Sequence, residues 1–268
     1  SLAHERNASF SIKNPERFKG FRFLNLEFGL PFNPDWKLSM YREPQFVNQV
    51  TNEYFYKQIE MREIPKNVLL HGNFQSVEFI EKFRNHIEKW AKCSAPKNVS
   101  QELSSNTCIL NVRGGDYLHR NDLLLFPDYW RKAMRRMTEN FGDLEFKIVT
   151  DDAKYARSIL PEVKLLDLDM HGDYYLLQNA PYVVLSNSSF AFFPVWTNPN
   201  LKYCLAPKFW AGHNRNLTWI SKYNIVSSWN YMSRTGEIGS GNNLKLEKCI
   251  GDNGSLSSEE SSMGLQLH

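Results

Sequence analysis

The sequence predicts an α/β protein built on a doubly wound parallel sheet. Between positions 107 and 206, short apolar runs alternate with longer amphipathic segments, and apolar residues recur in the longer segments at the spacing of a helix. Strands and helices that alternate in this way are typical of a parallel sheet covered by helices on both faces. Polar residues follow several of the apolar runs, at the sheet edge where such folds bind ligands.

The predicted elements of this region follow one another without long gaps. Strands are expected over residues 107–112, 145–150, 163–168, 182–186 and 202–206. Helices are expected over residues 127–141, 152–160, 173–180 and 189–196. The helix at 127 places Trp130, Ala133 and Met137 on one face, whereas its arginines and lysine lie elsewhere and indicate a solvated face. Contact of those basic residues with an acidic surface or acceptor stays an alternative.

The flanking regions carry weaker signals. One strand is predicted over 21–26, and a buried strand with a glycine turn over 67–76, after which Ser76 caps a helix. The polar stretch 94–106 marks a domain boundary by composition. The predicted division is an N-terminal α/β domain at 1–100, a Rossmann-like domain at 101–230 and a disordered polar tail at 231–268, which is rich in Gly, Ser, Asn and charge from 236 onward.

Composition limits the classes of partner. The chain has 268 residues, 42% of them hydrophobic, and a formal net charge of +3. That charge is too small to indicate nucleic-acid binding, but it fits an anionic ligand and leaves peripheral association with an acidic membrane surface open. The four cysteines show no C-x-x-C spacing, which argues against a zinc or redox site. A sequon at Asn187 falls within a candidate ligand site, so we expect a reducing, unglycosylated, cytoplasmic setting, with the Golgi lumen as the alternative for a eukaryotic protein.

The segment Arg113-Gly114-Gly115-Asp116 is the first candidate ligand site. Two glycines end the preceding strand and let a ligand approach the backbone closely. The planar guanidinium of Arg113 suits phosphate oxygens. An ordinary strand-to-loop turn with a surface arginine is the structural alternative.

A second anion site is predicted where Asn187, Ser188, Ser189 and Phe190 open a helix, because hydroxyl and backbone N–H donors meet there. Asp173 could accept two hydrogen bonds from the N1–H and N2–H₂ edge of guanine. Helix capping is the alternative in both cases, and it also accounts for the residues that follow Thr150.

The D-x-D pattern of Asp167 and Asp169 resembles a manganese–diphosphate motif, but it follows a weak strand, and we expect no metal there. A metal-dependent reaction at these two aspartates remains the third alternative. No nucleotide-binding P-loop, catalytic-serine or dinucleotide-binding motif occurs in the sequence.

Several motifs, in order, resemble those of the GDP-fucose-dependent α-1,2-fucosyltransferases, in their bacterial branch. The matching segments are GNFQS at 72–76, NVRGGDY at 111–117, TDD at 150–152, NSSFAFF at 187–193 and APKFW at 206–210. They correspond to the family's G-x-F-Q-S, H-V-R-R-G-D-Y, S-D-D, N-S-T-F-S-W-W and A-P-x-x-W. The likeness extends to about Trp219.

The resemblance implies a GT-B-like fold of two Rossmann-like domains, with no metal or other cofactor. It also implies inverting transfer of fucose from GDP-fucose to a galactose-like hydroxyl of a glycan. Arg113 would grip the pyrophosphate, Asp173 would read guanine, and Asp116 would support the loop or act as base. The remaining donor contacts would come from Asn111, Thr150, Asp151, Asn187, Ser188, Ser189 and Phe190.

The chain departs from the family pattern at two motif positions and at its start. Asn111 replaces a histidine, and Gly114 replaces the second arginine of the motif. The family's glycine-rich donor-binding loop is also absent, so the resemblance implies an N-terminal domain that is incomplete at its start. A relative that binds GDP-sugar or glycan without catalysis is therefore the alternative to an active transferase.

Overall fold

The computed structural model describes residues 3, 7–42, 67–72, 76–97, 99–213 and 225–244. The centre of the described structure is a seven-stranded sheet. Its strands are β3 (Thr107–Val112), β4 (Glu145–Thr150), β5 (Lys164–Leu165), β6 (Tyr182–Val184), β7 (Tyr203–Pro207), β8 (Asn230–Met232) and β9 (Ile238–Ser240).

The strand order is β5-β4-β3-β6-β7-β8-β9, and all neighbours are parallel except the antiparallel pair β8 and β9. The chain builds outward from β3 through β4 to β5, then returns to place β6 on the other side of β3. This reversal is the hallmark of a doubly wound, Rossmann-type sheet, and it opens a crevice at the carboxyl ends of β3 and β6. The prediction of a mostly parallel α/β sheet is confirmed.

Alternate side chains of β3 pack into two cores on opposite faces of the sheet. Cys108, Leu110 and Val112 join one core, and Ile109 joins the other, with all four completely buried. A strand buried on both faces reads as a continuous apolar run, which is why the sequence showed it clearly.

Six α-helices lie wholly within the described ranges, and residues 241–244 are also helical. The six helices are α1 (Val77–Glu81), α2 (Arg84–Trp90), α3 (Pro127–Phe141), α4 (Ala153–Ile159), α5 (Met170–Asn179) and α6 (Ser189–Trp196). Helix α3 packs Trp130, Ala133 and Met137 into one core, and α5 and α6 pack on the other face. No helix in the described ranges is long and apolar enough to cross a membrane.

Local signals account for the helix limits. Pro127 opens α3 and Gly142, at φ 77°, follows it. Asp152 caps α4 by accepting from the N–H of Tyr155. Asp169 caps α5 by accepting from the N–H of Gly172, so this helix begins at Met170 rather than at the predicted residue 173.

The N-terminal region differs more from the prediction. The strand expected over 21–26 is wrong, because the chain there forms a 3₁₀ turn at Lys19–Arg22 and Leu24 makes only an isolated bridge to Cys93. β1 (Ser39–Arg42) and β2 (Val68–His71) pair in parallel as a separate two-stranded sheet. β2 is half-exposed, contrary to the buried strand expected, and residues 73–75 of the predicted turn lie outside the described residues.

Ser76 caps the next helix as predicted, with its Oγ accepting from the N–H of Phe79 at 3.3 Å. That helix is interrupted at residues 82–83 and continues as α2. Val77 and Val99 belong to the same core as α5 and α6. Residues before the predicted boundary at 100 therefore pack directly on the larger sheet.

The disordered tail predicted from 231 is wrong for residues 231–244. β8 and β9 add two strands there, and Tyr231, Met232 and Leu244 are buried in the two cores. Pairing of β8 with β7 supplies the order that the polar local composition does not indicate. Residues 245–268 lie outside the described structure.

Candidate functional site

The candidate site lies where the chain reverses direction in the sheet, at the carboxyl ends of β3, β4 and β6. Arg113 directly follows β3, Asp151 follows β4, and the Ser186–Phe190 segment connects β6 to α6. β3 pairs with both β4 and β6. The three polar segments predicted from sequence therefore share one edge of one sheet.

Arg113 is held between two carboxylates. Its Nη2 lies 2.7 Å from Asp116 Oδ1, and its Nη1 lies 2.8 Å from Asp151 Oδ2. The guanidinium also lies 5.0 Å from the centre of the Tyr117 ring, and its buried Nε has no partner among the described residues. The side chain is 22% exposed, so a ligand can reach it from the solvent side.

The glycine loop is occupied by carboxylates of the protein itself. Gly114 N–H donates to Asp151 Oδ1 at 3.0 Å, and Gly115 N–H donates to Asp152 Oδ2 at 3.1 Å. The space beside the glycines, which the sequence suggested for a ligand, is thus filled from the loop after β4. An added Cβ at Gly114 would lie 2.7 Å from Asp152 Cβ, so the glycine is required for this packing.

Asn111 and Thr150 make contacts within the protein. Asn111 is 3% exposed, and its Oδ1 accepts the hydroxyl of Ser186 at 2.8 Å. This bond ties the end of β3 to the start of the turn after β6. Thr150 Oγ1 accepts from the N–H of Asp152 at 3.0 Å and supports the cap of α4. Both residues therefore support the site through contacts within the protein.

The turn before α6 contains two serines. Ser188, the N-cap residue of α6, makes no side-chain capping bond and is 5% exposed, whereas Ser189 is exposed. The first N–H groups of a helix have no partner within the helix and carry its positive dipole end. Phe190 packs edge-on against Tyr174, with ring centres 6.0 Å apart, below this turn. The geometry here is that of an anion site.

Asn187 is buried and holds the turn in place instead of facing a ligand. It is 1% exposed, and its Nδ2 donates to the carbonyls of Leu123 and Trp210. Its Oδ1 is buried and has no partner among the described residues. In the folded protein this amide is not accessible to a glycan.

Tyr117 joins the two predicted anion sites and was given no role from sequence. Its hydroxyl donates to the Asn187 carbonyl at 3.1 Å, while its ring lies beside the Arg113 guanidinium. Burial raises the pKa of Tyr117, with smaller contributions from neighbouring charges. The sequence signal that could have identified Tyr117 is its position as the last residue of the NVRGGDY segment.

Asp173 lies on the first turns of α5 and is 9% exposed. It is not the helix cap, because Asp169 fills that position. Burial, followed by the charges of Asp169 and Asp151, raises the pKa of Asp173 to about 8. Its Oδ1 has no hydrogen-bond partner among the described residues. A buried carboxyl without partners is costly to ionise and available to a ligand that donates hydrogen bonds.

The D-x-D aspartates are separate in function. Asp169 Oδ1 accepts the N–H of Gly172 at 2.9 Å as the cap of α5, and Asp167 is exposed. Within the described ranges, no group of three or more His, Cys, Asp or Glu side chains has an arrangement that could hold a metal ion. Cys93, Cys108 and Cys204 are free thiols.

Comparisons with known proteins place this geometry in context. No protein-family model matches the chain. An α-1,2-colitosyltransferase of Escherichia coli is 27% identical over 245 residues, which cover 77% of this chain and 83% of the relative. A crystal structure of POFUT1 in complex with GDP aligns at 14% identity over 51% of this chain and 53% of that chain. Its TM-score of 0.31 is too low to argue a shared architecture. The chain is therefore similar to a glycosyltransferase over most of its sequence.

Proposed function

We propose that this protein is a glycosyltransferase that moves a 6-deoxyhexosyl group, fucose or a close relative, from a GDP-linked donor to a hydroxyl of a glycan. Sequence likeness to the colitosyltransferase supports the general class. The motif resemblance supports GDP as the nucleotide. Transfer with inversion and without a metal is part of the proposal.

One observation supports the proposal that this edge of the sheet binds the donor. Arg113 and the open N-terminus of α6 lie on the same edge of the sheet, joined through Tyr117 and its hydrogen bond to Asn187. A guanidinium and helix N–H groups at one edge of a sheet are a natural receptor for a diphosphate. The described chain brings both together at the point where doubly wound sheets bind nucleotides.

The residues have distinct roles in the proposed transfer. The acceptor hydroxyl oxygen forms a bond to the anomeric carbon of the sugar while the bond from that carbon to the β-phosphate oxygen breaks. GDP leaves with the electron pair, and Arg113 and the α6 N-terminus stabilise its added charge. The hydroxyl proton goes to a base, for which Asp116 is the candidate because its side chain is 74% exposed and lies beside Arg113.

Binding requires Arg113 to change partners. In the structure, one guanidinium is paired with two carboxylates, those of Asp116 and Asp151. A diphosphate brought into this arrangement would meet excess negative charge. We infer that phosphate oxygens replace at least one carboxylate on Arg113 when the donor binds.

Thermal-shift measurements with nucleoside diphosphates test the nucleotide. GDP is expected to raise the melting temperature, whereas UDP and ADP leave it near that of the free protein. Arg113→Ala should abolish the GDP effect. Arg157→Ala, at an exposed position near the carboxyl end of α4, removes the same charge away from the site and should leave the effect intact. Equal stabilisation of the Arg113→Ala variant would refute the clamp.

Turnover separates an enzyme from a binding-only relative. The intact protein should release GDP from GDP-fucose or GDP-colitose in the presence of a galactoside acceptor, and Asp116→Asn should still bind GDP while losing turnover. GDP binding without any transfer would favour the non-catalytic alternative. Loss of turnover with a chelator would instead favour metal dependence.

A further inference from the structure

A second cavity opens at the same edge of the sheet, beyond β7. Its volume is about 250 Å³. It lies between the first two turns of α3, the loop after β7 and the turn that follows β8. Six of the side chains that line it are Phe126, Asp128, Lys132, His213, Met232 and Arg234. None of these residues was assigned to the donor site.

The charged groups of the cavity favour an anion. Lys132 and Arg234 are its two cations, and Asp128 is its carboxylate. Lys132 Nζ pairs with Asp128 at 2.8 Å, but the Asp128 side chain is 73% exposed and so is largely hydrated. Arg234 stacks over the Phe209 ring at 4.3 Å and donates to the carbonyls of Gly212 and His213. The N-terminal end of α3 adds its dipole.

His213 supplies a buried polar group on the cavity wall. It is 6% exposed, and its Nδ1 has no hydrogen-bond partner among the described residues. The Tyr129 ring lies edge-on to the imidazole, with centres 5.1 Å apart, and fixes its plane. Burial lowers the pKa of His213 to about 4, with further lowering by Arg234 and Lys132 against a smaller opposite effect of Asp128. An unpaired buried imidazole nitrogen is unfavourable unless a ligand or water meets it.

The cavity is connected to the proposed donor site by two short links. Tyr129, whose ring packs on His213, donates its hydroxyl to the Leu185 carbonyl at the end of β6 at 2.8 Å. Asn187 of the turn before α6 donates to the Leu123 carbonyl, in the loop that leads to α3. Both sites therefore include residues of the segment between β3 and α3, Phe126 in the cavity and Arg113 in the donor site.

We propose that this cavity is a second ligand site, which binds a small oxyanion through Lys132, Arg234 and His213. A carboxylate of an acidic sugar and a phosphate group present the same chemistry to these three side chains. The site is separate from the Arg113 clamp and does not depend on the nature of the donor.

Calorimetric titration of the full chain tests the site, with inorganic phosphate, D-glucuronate and uncharged D-glucose as probes. Saturable binding of phosphate or glucuronate is expected, and none of glucose. The stronger of the two anions identifies the source of the oxyanion. Each titration is repeated with Arg113→Ala, in which phosphate cannot use the donor clamp, and binding should persist there.

Two substitutions with opposite expected effects locate the binding. Lys132→Gln should weaken the oxyanion at least about fivefold, because it removes one of two cations. Asp128→Asn should tighten binding about twofold to fivefold, since it removes the opposing charge at a largely exposed position that the fold tolerates. Arg135→Gln, on the exposed side of the same helix, is the matched control and should bind like the parent.

The His213 ring gives a readout specific to the cavity. A bound oxyanion favours the imidazolium, so the pKa of His213 should rise on binding, as measured by histidine NMR with His213→Gln for assignment. The proposal is overturned if neither anion binds, if Lys132→Gln and Asp128→Asn leave the affinity unchanged, or if Arg135→Gln weakens binding as much as Lys132→Gln. Failure of GDP to bind would bear only on the donor site.

Discussion

At the scale of single residues, Asp173 shows how burial controls charge in the candidate site. Its carboxyl is enclosed by α5, and burial together with Asp169 and Asp151 raises its pKa to about 8. At neutral pH the folded protein therefore holds this group mainly in its protonated form. A ligand that needs a carboxylate acceptor must displace the proton.

Replacement of Asp173 by asparagine should stabilise the protein at neutral pH. In the unfolded chain Asp173 ionises near the ordinary aspartate pKa of 3.8, whereas in the folded chain it keeps its proton until about pH 8. Stability contributed by the protonated group is present below pH 4 and is lost as the pH rises towards 8. Urea unfolding should show Asp173→Asn more stable by about 4 kcal/mol at pH 7.5, with the difference vanishing towards pH 4. A constant difference across this range would contradict the assigned pKa.

Guanine recognition by Asp173 should link GDP binding to proton release. The N1–H and N2–H₂ groups of guanine are donors, so they select the ionised carboxylate. Below pH 8 the GDP affinity should fall by up to about tenfold per pH unit, and calorimetry in buffers of different ionisation heat should detect a released proton. Asp173→Asn is the control, because it removes this proton while leaving the titration of the GDP phosphate.

The structure leaves no room at position 114 for the arginine that the related motif has there. A Cβ at this position would lie 2.7 Å from Asp152 Cβ and 3.0 Å from Tyr155 Cδ1. We expect Gly114→Arg to lose about 1–3 kcal/mol of stability in chemical denaturation, without a gain in GDP affinity. Gly239→Ala meets no atom within 4 Å and serves as the control. A stable Gly114→Arg variant with tighter GDP binding would contradict this expectation and would mean that Asp152 moves away from position 114.

At the scale of elements, Tyr117 couples the loop after β3 to the turn before α6. Tyr117→Phe keeps the ring beside Arg113 but removes the hydroxyl that donates to the Asn187 carbonyl. We expect about a threefold to tenfold loss of GDP affinity with a change in unfolding free energy near 1 kcal/mol, as one hydrogen bond contributes. Tyr175→Phe, a tyrosine on α5, is the comparison. Equal GDP affinities in the two variants would assign Tyr117 a structural role only.

Elements with strong local signals were predictable from sequence, whereas the contacts between them were not. β3, β4, α3 and α6 have the predicted limits, because apolar runs, Pro127 and Gly142 mark them locally. The carboxylates that fill the glycine loop come from positions 37 residues away in sequence. The sequence around Asp151 and Asp152 does not predict those bonds, because the same residues fit a helix cap equally well.

At the scale of the whole molecule, the strand order determines which polar residues meet. Placement of β6 beside β3, rather than beyond β5, brings the turn before α6 next to Arg113. In the same order, β7 and β8 follow β6 in the sheet. The residues after these two strands line the second cavity, at the same edge as the proposed donor site. One sheet topology thus brings together the residues of the two proposed ligand sites from segments far apart in sequence.

The sheet also continues past the boundary that composition suggested at residue 230, which makes the last strands part of the core. Met232 in β8 is completely buried against the face that holds α3. Met232→Ala should therefore cost about 2–4 kcal/mol of unfolding free energy in urea denaturation, as expected for a buried methionine. Glu237→Ala, an exposed residue between β8 and β9, should change stability by less than about 0.5 kcal/mol. Equal, small effects of both substitutions would show that β8 does not pack on the core, and the predicted boundary would then stand.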